Sequence, residues 1–398
     1  MEKTDVAIVG AGPVGLTLAL ALGRAGVNVV VVERDAEINL SPRAMVYLHP
    51  LLPDLDRLGL VAGMLKRGFR DDEGLNLHLA STGEVISIPN TALDGIDPFP
   101  FNIHLGQGEY CSLVAELLAD LDNVDVRSNS EVVTIDDQEA TATVHLQVKG
   151  VSQALEARYV VGADGGHSVV RASIGASLEG TTWGERFVAT NVRFDFRSRG
   201  FKSSNMYIDP EIGCIIAQIT PDGLWRCTYQ ESLELPESTV ADRIPQHFDR
   251  LLGADASVEL VDFRPYRMHQ RLSSSLRSGH VVLAGDAAHL TNPTGGLGLT
   301  TGLYDVLLLE EVLLAVLRGE AGDELLDRYA EERSRVFSHV SSPNATYFKT
   351  LVYDTTDPAV VDAQVQPFRD AAKTLEGQRA FLSGLDMVRS PSLTGAHS

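Results

Sequence analysis

The sequence predicts an α/β protein: a dinucleotide-binding domain on a parallel sheet, interrupted by an inserted β-sheet region and followed by a helical C-terminal region. Three observations carry that expectation. The N-terminus runs strand, glycine triplet, helix, strand and acid within one βαβ-sized unit, Asp5 to Glu33. A second strand with a glycine-rich continuation follows far downstream, Val281 to Gly302. Between them, Phe187 to Thr228 reads largely as strands, and beyond about residue 303 the pattern becomes helical.

Each element has a physical reason. Val6-Ala-Ile-Val9 is an apolar run suited to a parallel strand buried on both faces. Gly10, Gly12 and Gly15 follow in Gly-x-Gly-x-x-Gly spacing. Gly10 permits the tight turn, Gly12 lets the backbone approach a pyrophosphate, and Gly15 lets the helix pack close to the strand. Leu16 to Gly26 reads as that helix, whose N-terminus offers unpaired N–H groups and partial positive charge to phosphates, with Pro13 and Val14 of the glycine turn as further cofactor-binding candidates. Val29-Val-Val-Val32 ends at Glu33, 18 residues beyond Gly15, with Arg34 beside it. That carboxylate is placed to accept hydrogen bonds from an adenosine ribose.

Further along, Leu113 to Leu121 reads as a helix. Val124-Asp-Val-Arg127, Glu131 to Ile135 and Ala142 to Val148 read as strands. Glu156 to Arg171 is another strand, turn and helix start, and Asn205 to Ile208 and Gly213 to Ile219 are strands of the insertion. The apolar stretch Val306 to Leu317 carries two glutamates and is too short to span a bilayer, so it reads as a buried amphipathic helix. The tail from about Ser390 is small and polar, and is expected to fray. The expected division is a discontinuous nucleotide domain over 1–70, 105–180 and 275–320. A substrate domain with mixed β-sheet covers 71–104 and 181–274, and a helical region covers 321–398.

Composition narrows the function classes. With 398 residues, 44% hydrophobic and 22% charged, the chain can bury a large core. A formal charge of −21 argues against an electrostatic grip on nucleic acid or an anionic membrane. Cys111, Cys214 and Cys227 are widely spaced without a Cys-x-x-Cys pair, which suggests a reducing compartment and neither a disulfide framework nor a zinc site. Met1-Glu-Lys-Thr4 lacks the basic region of a secretory signal. The expectation is a cytoplasmic enzyme, monomeric or homodimeric, with no metal.

Three segments in order resemble the single-component FAD-dependent aromatic hydroxylases, the group typified by para-hydroxybenzoate hydroxylase. They are the glycine fingerprint ending at Glu33, Ala163-Asp-Gly-Gly-His-Ser-Val-Val-Arg171, and Gly285-Asp-Ala-Ala-His289 with its glycine-rich continuation. The resemblance implies a Rossmann-like FAD-binding domain with an inserted substrate-binding sheet. It places Asp286 at the FAD ribityl and pyrophosphate, and Pro293 through Leu299, including Gly296 and Gly298, beside the isoalloxazine ring. Asp164 falls near FAD and the nicotinamide donor, Arg43 on the flavin side, and Gln107 at the FAD. Without a cofactor, Asp286 reads as a helix N-cap, Asp164 as a turn residue and Arg43 as a surface arginine. No second glycine fingerprint is present, consistent with a donor, NADH or NADPH, that binds transiently. Asn292-Pro-Thr-Gly-Gly296 stands where Pro-Pro-x-Gly-Gln is the commoner flavin loop, which leaves the subfamily open.

By the same resemblance, the reduced flavin takes up O₂ as a hydroperoxide, and an electron-rich aromatic ring attacks its distal oxygen. A phenolic substrate reacts faster as the phenolate, so the protein should supply a relay or base near the substrate hydroxyl. Pocket candidates are Tyr207, Arg226 and Tyr229 from the insertion, and Tyr47, His49 and His104 from the N-terminal half. Arg226 reads first as a sheet-surface arginine and otherwise as a clamp on a substrate carboxylate. His49, His104 and His289 read first as structural histidines. The alternative activities are epoxidation or Baeyer–Villiger oxidation of a larger polyketide-like ring, and a non-catalytic redox-sensing flavoprotein.

Overall fold

The computed structural model describes residues 1–37 and 44–395. Its first sheet runs, from one edge, through strands Arg277–Ser278, Val281–Leu283, Val151–Gly162, Glu2–Val9, Val29–Val32 and Val124–Arg127, with the Ser130–Asp137 and Ala142–Val148 pair branching from Val151–Gly162. The four central contacts are parallel. Alternation then sorts the side chains onto two faces. Val6, Ile8, Val29 and Val31 enter one core, and Ala7, Val9, Val30 and Val32 the other. Burial on both faces is why the Val6–Val9 and Val29–Val32 segments are apolar throughout.

The first core is filled by two apolar helices, Pro13–Arg24 and Leu297–Leu317, lying against each other on the sheet. They touch closely because glycine stands at the crossing. A Cβ on Gly302 would lie 2.8 Å from Val14 Cγ2. The predicted helix at Leu113 begins earlier, as Gln107–Leu118, with Gly106 as its N-cap after the strand that ends at His104, which leaves Gln107 at the first turn.

The second sheet orders strands His289–Leu290, Glu259–Ser273, Leu178–Arg193, Leu224–Ser232, Cys214–Gln218, Ser204–Ile208, Leu75–Leu79 and Glu84–Ile88. Chain from before residue 105 therefore joins the insertion through the parallel pairing of Ser204–Ile208 with Leu75–Leu79. Three further short strands, Val46–Tyr47, Phe69–Asp71 and Asn102–His104, bridge the two sheets as a small antiparallel unit. Among the described residues no helix is long and apolar enough to cross a membrane.

The C-terminal helices do more than follow the core. Glu324–Val336 packs on the first core, and Ser342–Lys349, Pro358–Ala372 and Leu375–Ser383 fold back over the second sheet. The tail was expected to fray, yet the structure ties it down through residue 394. Arg333 donates to Ser390 Oγ at 2.9 Å, and Ser392 Oγ and the Thr394 N–H each donate to Glu311 Oε1 at 2.7 Å. Small polar residues here serve as hydrogen-bond donors to a helix carboxylate, a role that composition does not reveal.

Candidate active site

The N-terminal glycines form a cradle with an open side. Gly10 sits at φ +106°, and a Cβ there would meet Ala163 O at 2.4 Å. A Cβ on Gly15 would fall 2.0 Å from Gly10 O, whereas one on Gly12 would meet nothing within 4 Å. The outer glycines thus hold the turn closed, and the middle one leaves space in front of the helix N-terminus, as a pyrophosphate requires. Pro13 occupies the first helical turn, where its missing N–H costs nothing. We expect Gly15→Ala to cost about 1–3 kcal/mol from forced overpacking and to lower the flavin-to-protein ratio on purification, read by absorbance and thermal melting.

Glu33 closes the cradle. Its carboxylate accepts from the Ala11 N–H at 2.8 Å and from the Asp35 N–H at 2.9 Å, which fixes its position at the strand end. Arg34 is exposed, beside Asp35 at 3.6 Å, and does not line the cavity. Arg43 lies outside the described residues.

From this cradle a cavity of about 560 Å³ opens between the two sheets. Gly12, Pro13, Val14 and Gln107 form one wall. Asp286, Pro293, Gly296, Gly298 and Leu299 form a second. Gly296, at φ +67°, precedes helix Leu297–Leu317 and aims its N-terminus inward. Asp286 is exposed within the loop, while Thr294 is buried and its hydroxyl finds no partner among the described residues. An orphaned hydroxyl, open glycines and a helix N-terminus along one wall fit a polar, electron-accepting ring system with a phosphate tail.

Asp164 reaches the cavity only indirectly. Its carboxylate accepts from Ser168 Oγ and from the Val169 N–H at 2.7 Å, capping helix Val169–Ser173, while its neighbours Ala163 and Gly165 line the cavity. Burial raises its pKa against these hydrogen bonds. Arg171 then couples this turn to the Asp286 loop, donating to Gly166 O at 2.8 Å and Ala287 O at 2.9 Å.

The flavin-side loop rests on a buried ion cluster. Asp305 is fully buried and accepts from the Gly285 N–H at 2.8 Å, from His289 Nε2 at 2.8 Å and from Arg333 Nε at 2.6 Å. Arg333, also fully buried, donates in addition to Thr301 O, Val388 O and Ser390 Oγ. Burial opposes ionisation of Asp305, but His289 and Arg333 hold its carboxyl below the usual range. His289 is thus the structural residue its sequence context suggested.

The second sheet supplies the third wall, and here the sequence expectations need correction. Tyr207 does not line the cavity. Met206 lines it and Ile208 enters the core on the same side, while alternation turns Tyr207 to the opposite face, toward Phe201. Tyr229 faces away for the same reason and stacks on His247. Tyr47 is buried against Tyr110, and His49 is held by Asp97 and Leu382 O. Arg226 reverses its first reading: it faces the cavity with Thr228, held by two hydrogen bonds to Asn191 Oδ1 at 3.0 and 3.1 Å. Burial lowers its pKa to about 10, which leaves it charged at neutral pH.

Strand register gives this wall a layout. Ser204 pairs with Ala217, Ala217 with Arg226, and Arg226 with Asn191, so the four form one row across adjacent strands. Ser204 and Arg226 are two strand spacings apart, roughly 9–10 Å, with only the Ala217 methyl between them. Tyr266 and Arg264 continue the wall, and Phe348, Phe381, Leu382 and Leu385 cover it from the C-terminal helices. These residues, and Ser204 and Asn191, went unnoticed in the sequence, where period-two alternation was the one signal pointing to them.

Behind Ser204 runs a polar chain to the surface. Ser204 Oγ lies 3.1 Å from His104 Nε2, and His104 Nδ1 donates to Gln218 O at 2.6 Å. With that tautomer, Nε2 is the acceptor for the Ser204 hydroxyl. Asp71 Oδ2 lies 3.4 Å from the same Nε2, and both residues are fully buried. Ser203 Oγ bridges Asp71 to Glu73, reaching Glu73 Oε2 at 2.8 Å, and Glu73 is partly solvent-exposed. Burial opposes the Asp71 charge, but His104 when it carries a proton on Nε2, together with Ser203 and the Glu73 N–H, holds its pKa below the usual carboxylate value.

Comparison with known proteins places this geometry. Residues 3–342 match the family described as FAD binding domain. The chain is 39% identical over 393 residues to para-nitrophenol 4-monooxygenase of Pseudomonas sp. strain WBC-3, covering 98% of this chain and 97% of that protein. It is 41% identical over 350 residues to 6-hydroxy-3-succinoylpyridine 3-monooxygenase HspB of Pseudomonas putida, covering 86% and 88%. The crystal structure of p-nitrophenol 4-monooxygenase PnpA from Pseudomonas putida DLL-E4 superposes with a TM-score of 0.93 at 37% identity, covering 99% of this chain and all of that one.

Proposed function

Since the chain belongs to the FAD-dependent aromatic hydroxylases of the FAD binding domain family, we propose that its substrate is a small phenol or hydroxypyridine with an anionic or strongly polar group opposite the hydroxyl. The observation that carries this reading is the Ser204–Ala217–Arg226 row. A six-membered ring lying over the Ala217 methyl would put its hydroxyl at Ser204 and its far substituent at Arg226. The printed names of both relatives give their substrates a hydroxyl and a polar group at opposite ring positions. Nothing in the cavity favours the larger polyketide-like ring, because Phe348, Phe381 and Leu385 close over the row.

When bound, FAD supplies the redox chemistry, reduced by NADH or NADPH and delivering one atom of O₂ to the ring. Its adenosine end would be held at Gly12 and Glu33, its ribityl at Asp286 and its ring at Pro293 to Leu299. The protein's own residues do the rest. Arg226 orients the ring and stays charged in a largely apolar cavity, where a charge-assisted hydrogen bond is strong. Ser204 takes the phenolic proton and passes its own to His104 Nε2, and Asp71 stabilises the resulting imidazolium. The phenolate so formed is the better nucleophile. The C-terminal aromatic cover excludes water. The reading places the enzyme in the cytoplasm, where reduced nicotinamide is available, as a monomer or homodimer.

The test is substrate-stimulated NADH and NADPH oxidation by the yellow protein across phenols that differ only in the para group. Arg226→Met should raise KM about 10–150-fold for a para-carboxylate or para-nitro phenol, the equivalent of roughly 1.5–3 kcal/mol, and change KM for para-cresol little. Equal losses for all three would remove Arg226 from substrate binding.

A further inference from the structure

On the face of the second sheet that turns away from the cavity, three soft donors converge. Cys214 starts strand Cys214–Gln218, Cys227 lies in the neighbouring strand Leu224–Ser232, and His247 descends onto them from helix Val240–Leu252. The two sulfurs and one imidazole nitrogen all lie within 4.8 Å of one another, with Cys227 Sγ 3.9 Å from His247 Nε2. Both cysteines are fully buried, and His247 is nearly so. The three are far apart in sequence and show no metal-ligand spacing; only strand pairing and helix docking assemble them.

From this geometry we propose that Cys214, Cys227 and His247 form a binding site for a thiophilic divalent cation of the zinc class. Thiolate sulfur at about 2.3 Å and imidazole nitrogen at about 2.0–2.1 Å from a tetrahedral ion put ligand atoms roughly 3.8 Å apart or less, so the cluster needs only small side-chain shifts to close. Binding displaces the two thiol protons to solvent. The two thiolate charges then cancel the cation, leaving no net charge in a buried site.

A direct disulfide suits the backbone less well. Cys214 stands opposite Tyr229, and Cys227 opposite Ile216, so the cysteines are diagonal rather than facing. Diagonal neighbours lie about 7–8 Å apart, at or beyond the roughly 7 Å limit for bridging without backbone movement. The His247 ring is already oriented by stacking on Tyr229, with centroids 3.9 Å apart and an interplanar angle of 13°. The Tyr229 hydroxyl is buried without a hydrogen-bond partner among the described residues, a polar neighbour for a fourth, water-filled position. An ion here would pin helix Val240–Leu252 to the strands whose other face carries Ala217 and Arg226.

The experiment is titration of the flavin-loaded, chelator-treated protein with Co²⁺, read at wavelengths longer than oxidised flavin absorbs. Intense d–d bands saturating at one Co²⁺ per chain and displaced by Zn²⁺ are expected, with a rise in melting temperature on Zn²⁺ addition. Cys227→Ser and His247→Gln should each weaken binding by more than the roughly 10–100-fold that losing an outer-shell partner costs, and Cys111→Ser should leave it unchanged. Flavin content shows that each variant has folded, and the wild-type titration stands whether or not a variant does. Absence of the bands in the wild type overturns the proposal, as does their persistence in Cys227→Ser or a wild-type protein that loses two hydrogens in mass and binds no metal.

Discussion

Removal of the His104 relay is expected to slow ring hydroxylation about 10²–10⁴-fold for phenols that are protonated at the assay pH. Ser204→Ala cuts the link at the cavity, and His104→Gln cuts it one step behind while keeping a donor for Gln218 O. The effect should depend on the substrate's own acidity. A para-nitrophenol-like substrate, already largely ionised near neutrality, should lose far less than para-cresol. Raising the pH toward the phenol's own pKa should restore the variant, because solvent then removes the proton that the relay no longer takes. Reduced nicotinamide oxidation should fall less than product formation, since the relay serves the ring and not the hydride donor. Product and NAD(P)H, measured together across pH for both variants, check this. Equal losses at every pH and for both substrates would make the network structural only.

Asp305→Ala is expected to cost about 3–5 kcal/mol of stability and to strip the protein of flavin. The change leaves Arg333 buried without its carboxylate, and leaves His289 and the Gly285 N–H without their acceptor. Because Gly285 and Asp286 begin the loop that faces the cofactor, its position should fail before the sheet does. Colour should therefore be lost at milder conditions than secondary structure, which flavin release and far-UV dichroism followed on one sample will show. The wild type carries the matching pH dependence. Asp305 has a folded pKa below its unfolded value of about 4, so its contribution is complete above pH 4. It fades as pH falls from there through the depressed value. Asp305→Asn, which retains one acceptor but no charge, should melt lower than the wild type at neutral pH, with the gap narrowing below pH 4.

Much of the nucleotide half was legible in the sequence because its demands are local. A turn that admits no Cβ at Gly10 or Gly15 must be glycine, and a strand buried on both faces must be apolar throughout, as Val29–Val32 is. Those constraints act between near neighbours in the chain, so residue identity and spacing record them. The second glycine segment is legible for the same reason, since Gly296 needs φ +67° and Gly302 must let Val14 pass.

The substrate wall was not legible, and Tyr207 and Arg226 show why. Tyr207 lies in a strand read as one and Arg226 in a stretch read as largely β, yet Arg226 faces the cavity and Tyr207 a hydrophobic cluster. A strand's own pattern separates two faces but does not say which face meets the cofactor. That choice belongs to the pairing of Ser204–Ile208, Cys214–Gln218 and Leu224–Ser232 and to the helices that cover one side. The sequence by itself determined the dinucleotide fold and the order of the elements, because short-range sterics write those into glycines and apolar runs, and its three motif segments implied the cofactor and reaction family by resemblance. Only the tertiary structure decided which side chains meet the substrate, the ion cluster under the flavin loop and the cysteine–histidine trio. Each of these depends on distant segments whose register and packing are set by burial of the whole core rather than by any one motif.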